Sequence, residues 1–315
     1  MIHNDMEWVE KYRPKKVADV VLPDRLKNMF QSMVDKQFIP TLILTGGPGV
    51  GKTTVAKAML DELGCDYIKL NGSLEGRTID VLRGRITEFA STVSMEGGRK
   101  YIILDEADYS NPQTVQPALR GFIEEFSNNC GFIFTCNFKS KIIGPISESR
   151  CTTIEFKFSK DEIKTMIPQF YKRAAFILKQ EGVEFDKVSV GMLIKKFAPD
   201  WRKIIGTLQA YGQSGHIDSG VLVTLKETEL SELVKLLKNK DFNGTRTWVA
   251  EQAIEPSDLF ESFYKHMDKY FADSASKAKL VLTLGEYQYS SAFAANQEIN
   301  TMAFLVKVMM ESNFK

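Results

Sequence analysis

The sequence predicts an α/β fold: a five-stranded parallel sheet covered by helices, followed by two helical regions. The sheet rests on five short apolar runs rich in β-branched and aromatic residues, TLILTG (41–46), YIKLNG (67–72), YIILDE (101–106), GFIFTCN (131–137) and TTIEF (152–156). Helix-like stretches of about 12 to 18 residues separate them, and strands that alternate with helices build parallel sheets buried on both faces. After Phe158 the character changes. Ser159 is placed to cap a helix beginning SKDEIKTMIPQF, the apolar spacing turns helical, and no further strand is expected.

Each strand hands the chain to a connection with its own signal. GGPGVGKTT follows the first strand and satisfies G-x-x-x-x-G-K-[ST] from Gly46 to Thr53, directly after a strand and at the start of a helix. The residues Gly47, Pro48, Gly49, Val50, Gly51, Lys52, Thr53 and Thr54 are the candidate phosphate cradle. Glycines there let backbone N–H groups converge on phosphates, the helix N-terminus adds partial positive charge, Lys52 reaches the terminal phosphates, and Thr53 can ligate magnesium. The pattern therefore points to ATP and Mg2+.

The third strand ends in Asp105 and Glu106, at the strand tip where open parallel sheets bind ligands. Asp105 is the candidate magnesium ligand, and Glu106 the group that orients and polarises an attacking water. The letters DEAD (105–108) also mark a helicase family, but that family needs a second strand–helix series, which is not found here. The fourth strand ends in Asn137, whose neutral amide suits a water or a terminal phosphate. Before the fifth strand stands SESRC (147–151), where Arg150 by itself reads as a surface arginine with a local ion pair.

The helical remainder breaks at the Gly/Ser-rich YGQSGHIDSG (211–220), giving expected domains at 1–158, 159–228 and 229–315. A length of 315 residues suits two or three domains. The hydrophobic fraction of 43% and the charged fraction of 26% are those of an ordinary soluble protein, without an apolar run long enough for a membrane span. MIHNDMEWVEKYRP lacks the layout of a secretion signal, so a cytoplasmic setting is expected. Four scattered cysteines and three distant histidines argue against zinc. A formal net charge of +1 leaves nucleic acid open, because a basic stripe can sit inside a balanced total.

In chain order, WVEKYRPKKVADVVLP, GGPGVGKTT, LNGSLEGRTIDVLRGRITEFA, YIILDEAD, TCNFKSKIIGPISESRC and PDWRKIIGTLQAYG together resemble the AAA+ ATPase family, and within it clamp-loader subunits of the replication factor C kind. DWRKIIGTL and the later YSSAFAANQEIN are similar to the T4-type bacteriophage branch of that family. The resemblance implies an AAA+ P-loop domain, a helical lid and a helical collar. It implies that Arg150 is an arginine finger acting in a neighbouring subunit's site and that Arg202 is a second sensor on the lid. Val9, Glu10, Lys11 and Tyr12, with Val21, would frame adenine. Asn71 matches a position that restrains the catalytic glutamate. Thr78, Arg83 and Arg85 would meet DNA phosphates, a salt-sensitive and sequence-independent contact.

The implied partners are a sliding clamp, primer-template DNA, further copies of the chain and one distinct small subunit, in a 4:1 hetero-pentamer without a membrane role. Two rivals stand beside this expectation: another AAA+ DNA motor or initiator loader, and a structural subunit that has lost hydrolysis. The presence of Lys52, Thr53, Asp105, Glu106 and Arg202 together weighs against the second.

Overall fold

The computed structural model describes residues 7–73, 79–94, 98–213, 215–218, 220–252 and 255–315. They divide into two compact units, Met1–Asp218 and Ser219–Lys315.

In the first unit the five expected strands form one parallel sheet: β1 (Leu42–Thr45), β2 (Tyr67–Asn71), β3 (Lys100–Asp105), β4 (Cys130–Cys136) and β5 (Thr152–Glu155). Their order is β2-β3-β4-β1-β5. Leu42 of β1 lies opposite Ile133 of β4 and Thr152 of β5, and Lys100 of β3 opposite Cys130 of β4. Alternate side chains of a strand face opposite sides of its sheet. Leu42, Leu44, Ile103 and Ile133 accordingly pack on one side with Phe30 of α2 (Asp24–Asp35) and Val55 and Met59 of α3 (Lys52–Leu63). Ile43, Leu104, Phe132 and Phe134 pack on the other with Leu82 and Ile86 of α4 (Ile79–Ser91) and Leu119 and Phe122 of α5 (Val115–Glu125). Two-sided burial is why the inner strands β1, β3 and β4 read as continuous apolar runs, while the edge strands β2 and β5 are partly exposed.

On α4 the buried positions Leu82, Ile86 and Ala90 are spaced by four, which leaves Arg83 and Arg85 on the exposed side. Lys100 fixes the far end of this helix: its buried ammonium donates to the carbonyls of Phe89 at 2.7 Å and Thr92 at 2.9 Å. Thr78, expected beside the two arginines, lies outside the described residues.

A short helix α1 (Trp8–Lys11) precedes the sheet, and α6 (Gly144–Ser147) precedes β5. Beyond β5 the chain turns helical as expected, with α7 (Lys160–Gln180), α8 (Lys187–Phe197) and α9 (Trp201–Gly212). Ser159 caps α7 in a reciprocal box: its hydroxyl accepts the Glu162 N–H at 3.2 Å while the Glu162 carboxylate accepts the Ser159 N–H at 2.8 Å. One expectation is corrected. Two further strands, β6 (Glu184–Phe185) and β7 (His216–Ile217), pair in parallel after Phe158. Two residues are too few to show a period of two, so only the tertiary pairing reveals them.

The second unit is helical: α10 (Gly220–Lys238), α11 (Phe242–Gln252), α12 (Pro256–Tyr270), α13 (Ser274–Ser291) and α14 (Gln297–Glu311). Phe304 of α14 anchors its core, edge-on to Phe260 at 4.8 Å and to Phe263 at 5.6 Å between ring centres.

Candidate functional site

Because β1, β4 and β3 are neighbours in one parallel sheet, their C-terminal ends lie side by side. The GGPGVGKTT loop leaves β1, Asp105 ends β3, and Asn137 follows β4 directly. The sheet thus brings together three signals that are about 30 to 85 residues apart in sequence.

Lys52 opens α3 and is buried, yet every polar contact it makes is with the site: the Gly46 carbonyl at 2.7 Å, the Gly47 carbonyl at 2.6 Å and Asn137 Oδ1 at 3.0 Å. Burial pushes its ammonium pKa down. Next to it the Thr53 hydroxyl donates to Asp105 Oδ1 at 2.7 Å. The Thr135 hydroxyl donates to the same oxygen, and the Lys69 ammonium pairs with Asp105 Oδ2 at 2.7 Å. Burial works to raise the Asp105 carboxyl, but the hydrogen bonds from Lys69, Thr135 and Thr53 outweigh it and hold the group below its ordinary value.

Glu106 is exposed at the mouth of this cluster, with a left-handed backbone (φ 55°) that turns the chain sharply off the strand. Gly72 packs close underneath: a Cβ there would sit 2.5 Å from the Glu106 carbonyl. Asn71 is opposite Asp105 in the β2–β3 register, and its Oδ1 accepts the Ser73 N–H and hydroxyl, both at 2.8 Å. That carbonyl oxygen is thus held locally rather than on Glu106.

Pro48, Gly49, Lys52, Thr53, Asp105, Glu106, Asn137 and Arg202 line the polar end of the cleft, together with Asp108, Thr135 and Cys136. Its other end is lined by Val9, Tyr12, Val21, Val50, Gly51 and Thr54 and by Arg13, Arg173, Phe170 and Trp201. An apolar wall of valines and aromatic rings beside a few convergent polar groups is the lining that a base and its phosphates require. Glu10 and Lys11 do not line it. Glu10 is ion-paired with Arg13, and Lys11 with Glu181 at 2.7 Å. Gly47 faces the cradle through its carbonyl to Lys52.

The lid helices close directly onto the loop. The Trp201 N–H, at the start of α9, donates to the Gly49 carbonyl at 3.1 Å, and Asp200 caps that helix through the Lys203 N–H at 2.9 Å. Gly49 has φ +70°, and a Cβ on it would fall 1.7 Å from Asp200 Oδ1, so both backbone and space demand glycine. Arg202 is carried by the same turn and borders both ends of the cleft.

Arg150 is not in this cluster. It follows α6 and is ion-paired with Glu124 of α5. Arg83 and Arg85 are exposed on α4, again apart from the cleft lining.

Several residues were missed in the sequence. Lys69 and Thr135 hold Asp105, and buried Asp108 accepts the N–H groups of Asn137 and Phe138 at 3.1 Å each. Arg173 donates to the Tyr12 carbonyl, Arg13 donates to the Thr54 hydroxyl at 2.9 Å, and Phe170 stacks on Trp201 at 4.4 Å. A polar residue inside a wholly buried strand, such as Thr135, was the available signal; Arg173 on a long helix offered none.

For a metal, the fit is one of donor chemistry. The Thr53 hydroxyl and Asp105 carboxylate are hard oxygen donors already 2.7 Å apart, which suits Mg2+. Among the described residues no group of three or more His, Cys, Asp or Glu is arranged to hold a metal by itself.

Comparisons with known proteins agree with the geometry. Residues 42–159 match the family described as ATPase family associated with various cellular activities (AAA). Residues 161–223 match the sliding-clamp-loader large subunit, AAA+ ATPase lid domain. The chain is 36% identical to the sliding-clamp-loader large subunit of Escherichia phage RB69, over 97% of this chain and 96% of that protein. It is also 36% identical to that of Enterobacteria phage T4, over 99% of each. Identity to the replication factor C small subunit of Halobacterium salinarum is 32%, over 97% and 96%. Among solved structures, the Thermotoga maritima RuvB Holliday junction branch migration motor aligns with TM-score 0.54 and 18% identity, over 84% of this chain and 93% of that one, a likeness of fold alone. With its P-loop, strand-tip carboxylates and lid assembled as above and its whole length matched, the chain belongs to the sliding-clamp-loader large-subunit family of AAA+ ATPases and is an ATP hydrolase of that family.

Proposed function

We propose that the chain is the ATPase subunit that loads a sliding clamp onto primer-template DNA, using ATP with Mg2+ as a conformational switch. One observation carries the reading: a lid residue, Trp201, hydrogen-bonds the phosphate-binding loop that also presents Lys52 to Asn137. Nucleotide at that loop must therefore act on lid position, which is what a switch requires.

Lys52, now turned onto two loop carbonyls, is the group that moves onto the terminal phosphates. Thr53 and Asp105 would hold Mg2+, which when bound neutralises charge on the phosphates. Glu106, exposed at the mouth, orients the attacking water and takes its proton, and Asn137 orients the same region with a neutral amide. Arg202 contacts the terminal phosphate from the lid. Val9, Tyr12 and Val21 pack against the base, with Glu10 and Lys11 steadying that segment through their ion pairs. Asn71 restrains Glu106 once it leaves Ser73. Arg150 completes the site of the adjacent subunit, and Arg83, Arg85 and Thr78 follow DNA phosphates.

The chain then consists of an ATPase domain (1–158), a lid (159–228) and a collar (229–315). Four copies join one smaller subunit in the host cytoplasm. No helix among the described residues is long and apolar enough to cross a membrane.

The test is steady-state ATP hydrolysis by the assembled complex, with and without primer-template DNA and clamp. A low basal rate that rises strongly only with both is the expected result; a rate indifferent to both returns the chain to other AAA+ motors.

A further inference from the structure

The Arg150 guanidinium makes four hydrogen bonds within its own chain. Nε and Nη2 both donate to Oε1 of Glu124, Nε at 2.8 Å, while Nη1 donates to the Pro145 carbonyl at 2.6 Å and to Ser149 Oγ at 2.8 Å. Only 19% of the arginine side chain is exposed, against 57% of Glu124. A group in this state offers no free N–H fork to a phosphate on another subunit.

Glu124 is an odd residue for packing. It stands in the last turn of α5, where a carboxylate meets the negative end of the helix dipole, and it points away from the apolar face formed by Phe122 and Ile123. The Arg150 guanidinium is what compensates it, holding the Glu124 carboxyl below its ordinary range. Nε and Nη2 lie on the same edge of the guanidinium and now share one carboxylate oxygen, and phosphate offers that edge anionic oxygens of the same kind, so it can take over the donors that Glu124 now accepts. The pair is also partly exposed, and exposed ion pairs are weak and easily exchanged.

We propose that Glu124 is a positioning residue for Arg150: it keeps the finger retracted on its own chain, and the finger enters a neighbour's site by exchanging the Glu124 carboxylate for phosphate. The inference rests on the reading of Arg150 as a finger acting in trans. Retraction lowers the basal rate of the assembly, because each site is completed only when an arginine leaves its own carboxylate.

The experiment is ATP turnover by the assembled complex at saturating ATP, without DNA or clamp. Glu124→Gln should raise kcat about two- to fivefold, the ratio that the strength of an exposed ion pair converts to, with KM unchanged. The gap between Glu124→Gln and wild type should narrow as salt is raised, since salt screens the pair. Glu125→Gln removes an exposed carboxylate from the same helix end and should leave the rate alone. In an Arg150→Ala background Glu124→Gln should add nothing. If the Gln variant proves unstable by thermal unfolding, Glu124→Asp, which shortens the reach, should raise kcat in the same direction. A Glu124→Gln rate at or below wild type, while Arg150→Ala still abolishes hydrolysis, overturns the role of Glu124 alone. An Arg150→Ala complex that hydrolyses normally overturns the trans finger, and Glu124's role with it.

Discussion

The two units of the chain bury very different things. In Met1–Asp218 the interior includes charged groups: Lys52, Lys100 and Asp108 are all buried, each with hydrogen bonds to named carbonyls or N–H groups. In Ser219–Lys315, among the described residues, the buried polar groups are the hydroxyls of Thr245, Ser276, Thr283, Thr301 and Tyr270 and the Trp248 indole nitrogen, none of them charged. Burying a charge is costly unless it is hydrogen-bonded or paired, and each of the first unit's three is held by such partners. Lys52 and Asp108 border or support the nucleotide cleft, and Lys100 holds α4 in place.

The largest effect that would sharpen this contrast is chemical. Glu106→Gln should cut hydrolysis by about 10² to 10⁴-fold, as expected for loss of a general base, while a fluorescent nucleotide still binds with near wild-type affinity. Equal loss of binding would make Glu106 part of the cradle instead. Next comes packing in the second unit. Phe304→Ala removes an aromatic fully buried against Phe260 and Phe263 and should cost about 3 to 5 kcal/mol in denaturant unfolding, with nucleotide binding retained. Loss of binding alongside would break the separation drawn here.

Gly49→Ala tests the lid contact. A left-handed φ and the approach of Asp200 should make it cost roughly 1 to 3 kcal/mol and weaken nucleotide binding measurably. Unchanged stability and affinity would show that the loop and lid can separate freely.

The smallest effect is electrostatic. The folded Asp105 carboxyl titrates below its ordinary value of 3.8, so its pairing stabilises the protein above that pH and the gain is lost as pH falls through the lower folded value. Wild type and Asp105→Asn should differ by about 1 kcal/mol near neutrality, a figure reduced for the partly exposed Lys69 partner, and converge in acid. A difference that persists in acid where the folded carboxyl is already protonated would assign the stabilisation to something other than the charge.

Much of the site was legible because phosphate chemistry demands particular residue types at particular spacings. A glycine-rich loop before a helix, carboxylates at a strand end and a polar tip on another strand signal themselves even when the sheet that unites them is not seen. The wiring between them was not legible. Lys69 looks like any lysine in a half-exposed strand, Glu10 and Lys11 like any part of the N-terminal segment, and nothing local says that one pair turns aside to Arg13 and Glu181 while the other residue neutralises Asp105. The strands β6 and β7 were invisible for a related reason: two residues carry no period.

By itself the sequence determined the five strands of the parallel sheet, the phosphate-binding loop and the mainly helical remainder after Phe158, since these follow from residue type and spacing along adjacent positions, while the order of its motifs along the chain resembles the family to which it belongs. Only the tertiary structure decided that Trp201 meets Gly49, that Arg173 meets Tyr12 and that Arg150 rests on Glu124. Those contacts join residues far apart in the chain, and their partners are ordinary polar groups, interchangeable in sequence until the fold brings one particular pair within hydrogen-bond distance.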